Sequence, residues 1–190
     1  MLRIVLTLAG VLVAGAAQAH TGHDHAAGFV SGFLHQFSGA YHMLAMVAVG
    51  LWALQLGRGA LFLVPAAFVA VMAAAGSFGY LGLVPPGVEA AILASLVVIG
   101  GAVALSLRLH IVAAMLVVGV FAAAHGVAHG TELPAAAGAL GYTLGFVVAT
   151  AALHAVGIAI GLISARHFSG RATRLAGAAV ALGGLALAAF

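Results

Sequence analysis

The sequence predicts an all-α, polytopic membrane protein, a bundle of about six transmembrane helices after a cleaved signal peptide. Three observations carry that expectation. Hydrophobic residues make up 65% of the 190-residue chain and charged residues 5%, against roughly 25% charged in a soluble domain. The mean hydropathy is +1.29. Apolar stretches about 20 residues long, the length that crosses the hydrocarbon layer as a helix, recur between short polar breaks.

Taken in order, residues 1–19 read as the signal peptide: Arg3 near the start, an apolar run from Ile4 to Ala14, and the small-residue ending Ala17-Gln18-Ala19. Residues 20–39 form a His-rich extracytoplasmic segment opening with His20, His23 and His25, a tail suited to collecting metal weakly. Residues 40–190 form the membrane domain, with spans expected from Ala40 to Leu56, Ala60 to Phe78, Val88 to Leu107, Ile111 to Gly130, Ala135 to Ser164 and Thr173 to Phe190. Pro65 is expected to kink the second span. In the fifth, Thr143, Thr150, His154, Gly157 and Gly161 share one helical face, whose small residues let a neighbour approach closely in lipid.

Charge sets the orientation. Arg58 lies between spans one and two, Arg108 between three and four, and Arg166, Arg171 and Arg174 between five and six, while the alternate loops hold no basic residue. Lys and Arg favour cytoplasmic loops, so these loops are expected inside and both mature termini in the periplasm of a bacterial inner membrane. The pI of 10.2 comes from six arginines against three acids, too few for the dense basic face that nucleic acid requires. With no cysteine, thiolate metal sites and disulfides are excluded. The chain has no Gly-Lys-Ser/Thr phosphate loop and no motif for a positioned nucleophile, so an enzyme is not expected.

Ten histidines stand out in so plain a composition. His125 and His129 are four residues apart and Glu132 follows three later, which places all three on one helical face. Two imidazoles and a carboxylate suit a borderline divalent metal such as nickel, cobalt or zinc. The plainer reading is a pair of interfacial histidines bonding across helices; the cost of ionisable groups inside a membrane weighs against it. Glu89 follows the turn Pro85-Pro86-Gly87, at the depth expected for Glu132, although a lone Glu there also complements a helix dipole.

His35 and His42 are seven residues apart, about 10 Å of rise on a straight helix. Either Ser38-Gly39 breaks the helix and the two converge, or they act in sequence along a path; the second reading is preferred. His154 either continues a path inward or bonds Thr150. His110 and His167, next to Arg108 and Arg166, are read as interfacial.

These residues resemble the HupE/UreJ family of membrane proteins, which accompany hydrogenase and urease systems and are regarded as permeases for nickel, sometimes cobalt. The likeness spans nearly the whole mature chain. It is carried by HQFSGAYHMLAMVAVG (35–50), VPPGVE (84–89), FAAAHGVAHGTELP (121–134) and GFVVATAALHAVG (145–157). The resemblance implies a signal peptide, six helices and metal passage, with the family's polar positions falling on His35, His42, Glu89, His125, His129, Glu132 and His154. The family's first block usually reads His-Pro-x-x-Gly-x-Asp-His; here Gln36 replaces the proline and Tyr41 the aspartate. The first change removes the expected break between His35 and His42. The second removes a hard anionic ligand, since a phenol titrates near 10.

The leading expectation is a permease admitting Ni2+ or Co2+ from periplasm to cytoplasm, with Glu89, His125, His129 and Glu132 at an outer site, His42 contributing, and no permanently bound cofactor. Expected partners are the lipid bilayer, the divalent ion and, in a homo-oligomer, further copies of the chain. The alternatives are a haem-bearing subunit of an electron-transfer complex, with histidines as axial ligands, and a metal-binding accessory protein that does not conduct.

Overall fold

The computed structural model describes residues 28–133 and 139–189. The signal sequence and His20, His23 and His25 lie outside the described residues. Seven helices follow: α1 Phe29–His35, α2 Ala40–Leu56, α3 Ala60–Tyr80, α4 Val88–Ala104, α5 Ile111–Thr131, α6 Ala139–Phe168 and α7 Arg171–Ala188. The last six lie along the apolar stretches that predict them, α4 ending at Ala104 rather than Leu107, while residues 135–138, where the span of α6 is expected to begin, and 190, where the last is expected to end, are outside the described residues. Glycines punctuate four of them: Gly57 and Gly59 around the α2–α3 turn, Gly87 before α4, Gly170 before α7. His110 caps α5, its Nδ1 accepting the Val112 amide at 3.4 Å, so this histidine has a structural role. Helix α3 runs unbroken as one element through Pro65.

The molecule is a helical membrane bundle. Helices α3, α5 and α6 are each long and apolar enough to cross a membrane, and α1 with α2, bent by 86° where they join, makes a fourth such segment. Helix α4, at 17 residues, reaches about 25 Å. Helix α7 begins with Arg171 and carries Arg174 in its first turn, which lowers its apolar character. Trp52, Phe68, Met46 and Leu51 fill the interior, while Phe62, Leu116, Val120 and Leu140 are exposed on the outside, as expected where lipid is the solvent.

Glycines set how closely the helices approach and in what direction. A Cβ on Gly50 would lie 3.1 Å from the Gly157 Cα, and one on Gly157 would lie equally close to the Gly50 Cα, so α2 and α6 touch backbone to backbone. Gly126 meets α3 at Met72, and Gly130 meets it one turn on at Gly76 and Tyr80; α3 and α5 therefore run parallel. Gly177 of α7 abuts Gly100 and Ala104 of α4, while Gly184 abuts Leu93 and Leu96; that pair is antiparallel. These registers fit an up-and-down path. They place the start of α2 and the ends of α3 and α5 at one end of the bundle, with the arginine-bearing turns at the other. At the arginine end, Trp52 Nε1 and Gln55 Nε2 donate to the carbonyls of Leu107 (2.9 Å) and Val103 (3.1 Å). The predicted inward face of α6 is buried at Thr150, His154, Gly157 and Gly161.

Candidate metal centre

The break between α1 and α2 builds the site. Phe37 and Ser38 donate backbone i→i+3 bonds to Leu34 and His35, 3.0 Å each, and the Ser38 hydroxyl donates to the His35 carbonyl at 2.7 Å. These bonds wind α1 down. Gly39 then adopts an extended backbone, φ −107°, ψ 104°, and a Cβ there would stand 2.6 Å from His42 Nδ1. Glycine thus both turns the chain and leaves room for the ring. The straight helix assumed between His35 and His42 is corrected: the chain bends there and both rings meet His129, at centroid separations of 5.5 Å and 4.5 Å. The proline that Gln36 replaces is not needed for the break. Gln36 is fully buried, and neither polar atom of its side chain has a hydrogen-bond partner.

Two groups of ligand atoms result, and His129 belongs to both. One ring nitrogen each from His42, His125 and His129 lie within 4.8 Å of one another, all three residues buried; His35, His129 and Glu132 form a second such group, more open to the outside. An ion would need about 2.1 Å to each nitrogen, which side-chain rotation of such a trio could supply. Helix α5 supplies His125 and His129 one turn apart, and α2 supplies His42 across from them.

Hydrogen bonds orient the rings. Glu132 Oε2 accepts from His35 Nε2 at 2.8 Å and from His129 Nδ1 at 3.0 Å. Burial opposes the charge on Glu132, but the bonds from His129 and His35 outweigh it and hold the carboxyl well below the usual carboxylate range. An ionised Glu132 fixes the proton of His129 on Nδ1, which leaves the Nε2 lone pair bare; that Nε2 is buried without a partner. Ser95 Oγ donates to the Ile92 carbonyl at 2.6 Å and therefore accepts from His125 Nε2, 3.2 Å away. This leaves His125 Nδ1 as the bare nitrogen, and it too is buried and unpartnered, as is His42 Nε2. Unpaired buried polar atoms are costly, and three at one junction point to a ligand for them.

Sequence reasoning missed Ser95, because a serine inside an apolar helix looks like packing. Its effect is testable. Ser95→Ala frees the orientation of His125 and is expected to weaken nickel binding by about tenfold, the low end for loss of a supporting hydrogen bond; unchanged affinity in a titration of the purified variant would show that Ser95 plays no such part.

Two predicted positions do not join either group. Glu89 is exposed at the start of α4, where it faces the Tyr41 phenol; that ring stands against His42 at 4.4 Å and lies between Glu89 and the cluster. His154 lies deeper on α6, 1% exposed, with both nitrogens unpartnered. It does not bond Thr150, whose hydroxyl donates to Met72 Sδ at 3.8 Å. The Phe68 ring sits 5.7 Å from His125 and 5.3 Å from His154, an apolar step between them. Phe146 covers His129 at 4.4 Å, and Tyr142 stands 5.7 Å from His35. A cavity of about 380 Å³ between α3, α5 and α6 reaches His129, walled by Met72, Gly76, Tyr80, Tyr142 and Phe146.

The family model of the HupE / UreJ protein matches residues 7–187. Protein HupE of Rhizobium leguminosarum bv. viciae is 44% identical over 185 residues, covering 97% of this chain and 96% of that protein. No solved structure matches. The chain belongs to the HupE/UreJ family, whose members are membrane proteins of nickel and cobalt transport and its accessory functions, not enzymes.

Proposed function

We propose that this protein is a permease that admits nickel or cobalt from the periplasm to the cytoplasm, with residues 1–19 removed as a signal peptide, six membrane spans and both mature termini periplasmic. One observation carries the reading: His129 is shared between an outer group with His35 and Glu132 and a buried group with His42 and His125. An ion received by the exposed Glu132 and the half-buried His35 passes to the buried nitrogens by way of the His129 ring, whose Nδ1 faces Glu132 and whose Nε2 is bare toward the inner group. The change from an anionic, half-open group to a neutral imidazole trio offers binding at the mouth and weaker retention inside, as conduction requires. His154, beyond Phe68, is the next nitrogen donor inward.

The haem reading is disfavoured by geometry. Axial ligands stand on opposite faces of a macrocycle, whereas the His42 ring stands 5.1 Å from His125 and 4.5 Å from His129, edge-on or tilted against each.

Radiolabelled nickel uptake by cells is expected to fall sharply for Glu132→Ala at unchanged membrane abundance; uptake equal to wild type would remove the outer group from the path. Tyr41 supplies a separate check. A carboxylate beside His42 adds a hard oxygen ligand, so Tyr41→Asp is expected to bind nickel several-fold more tightly. An unchanged or lower affinity in the folded variant would place residue 41 off the route.

A further inference from the structure

At the end of the bundle opposite the histidine cluster, the charge is unbalanced. The chain has three acids, Asp24, Glu89 and Glu132; the two described ones belong to the histidine end, and among the described residues the only ion pairs join histidines to Glu132. The arginines therefore face no described carboxylate. Two of them, Arg108 and Arg174, line one cavity of about 380 Å³ together with Gln55, Ser106, Ser169 and Thr173.

Several features of this cavity read as a site. Arg174 is anchored, its Nε donating to the Ala104 carbonyl at 2.9 Å, which leaves the terminal nitrogens of the guanidinium fork for an oxyanion. Among the described residues, the two non-glycine residues with left-handed backbone are Ser106, φ 52°, and Ser169, φ 50°. Both line this cavity, and such conformations persist only where the surroundings hold them. Gln55 Nε2 is committed to the Val103 carbonyl, which fixes the amide orientation. The cavity thus offers two cations for an oxyanion and the Ser106 and Ser169 hydroxyls for a hydroxyl of the ligand. Around it the apolar surface is open: Leu105 is 73% exposed and Leu175 71%, so acyl chains have a surface to lie on.

We propose that this cavity binds an anionic phosphoglycerol headgroup, with the phosphate between Arg108 and Arg174, a glycerol hydroxyl bonded to the Ser169 hydroxyl, and the acyl chains along the outer face near Leu105 and Leu175. A zwitterionic choline headgroup has the phosphate but neither the net charge nor the hydroxyl. Free dihydrogen phosphate has both but no apolar part. Basic pockets between membrane helices recognise anionic lipids by this chemistry.

The test is native mass spectrometry of the full-length protein released from detergent, titrated with dioctanoyl phosphatidylglycerol, dioctanoyl phosphatidylcholine or inorganic phosphate. Phosphatidylglycerol is expected to be retained in preference to phosphatidylcholine, with retention weakened at least about tenfold in Arg108→Gln and in Arg174→Gln, the loss of a charged hydrogen bond, and unchanged in Arg58→Gln. Arg108 makes no hydrogen bond within the described protein, so its variant reports on the ligand even if Arg174→Gln disturbs the α4–α7 contact. Equal retention of the two lipids, or equal retention by wild type and Arg108→Gln, overturns the site. Displacement of phosphatidylglycerol by an equal concentration of inorganic phosphate overturns the lipid assignment. None of these outcomes bears on the histidine cluster at the other end.

Discussion

Replacing His129 with alanine is expected to weaken nickel binding more than any other single substitution in the cluster, well beyond about tenfold. Loss of a supporting hydrogen bond alone costs 10- to 100-fold at metal sites, and this change removes a ligand from both groups at once. It also deprives Glu132 of one of its two histidine donors. Glu132→Ala should disable the outer group and also release the His129 tautomer that presents Nε2 to the inner one, whereas His42→Ala should disable the inner group and leave the outer intact. A calorimetric titration of the three purified variants separates these cases. If His129→Ala bound no more weakly than His42→Ala, the two groups would not share a ligand in function.

The second large effect concerns packing rather than chemistry. Gly157→Val inserts a branched side chain where the α2 and α6 backbones touch, its Cβ 3.1 Å from the Gly50 Cα before any further atom is added. Overpacking costs about 1–3 kcal/mol and occasionally more; with rigid backbone on both sides, about 3 kcal/mol is expected. Because α2 carries His42 and α6 carries Phe146, which covers His129, metal binding should decline along with stability. Gly101→Ala is the control, since a Cβ there meets nothing within 4 Å. Unfolding in detergent or bicelles reads both, and equal stability of the two variants would refute the close contact.

Much of the fold was legible because lipid imposes a coarse rule. A helix must be apolar over the length of the bilayer, and glycine and arginine mark where several of them stop, so six of the seven described helices could be placed from the apolar stretches alone. His125, His129 and Glu132 were legible for a similar reason, since helical spacing alone puts them on one face. The hinge before His42 was not. It depends on the extended backbone of Gly39 and on i→i+3 bonds from Phe37 and Ser38, neither of which leaves the signature that a proline would. The same limit applied to Glu89. Shared depth suggested shared function, but depth does not specify azimuth, and Tyr41 lies between this carboxylate and the cluster. Ser95 and Phe68 act through contacts made by distant parts of the chain, His125 in both cases, and nothing local in the sequence reports them.

In the proposed function, the imidazole cluster created by this hinge lies on a path for metal and is not only a place where metal rests. Nickel flux into proteoliposomes carrying a trapped indicator tests it most directly. Saturable flux is predicted for the wild type, and flux at the level of protein-free liposomes for His129→Ala reconstituted to equal density. A wild type that binds nickel but passes none, or a His129→Ala variant that conducts as well as wild type, would contradict the account.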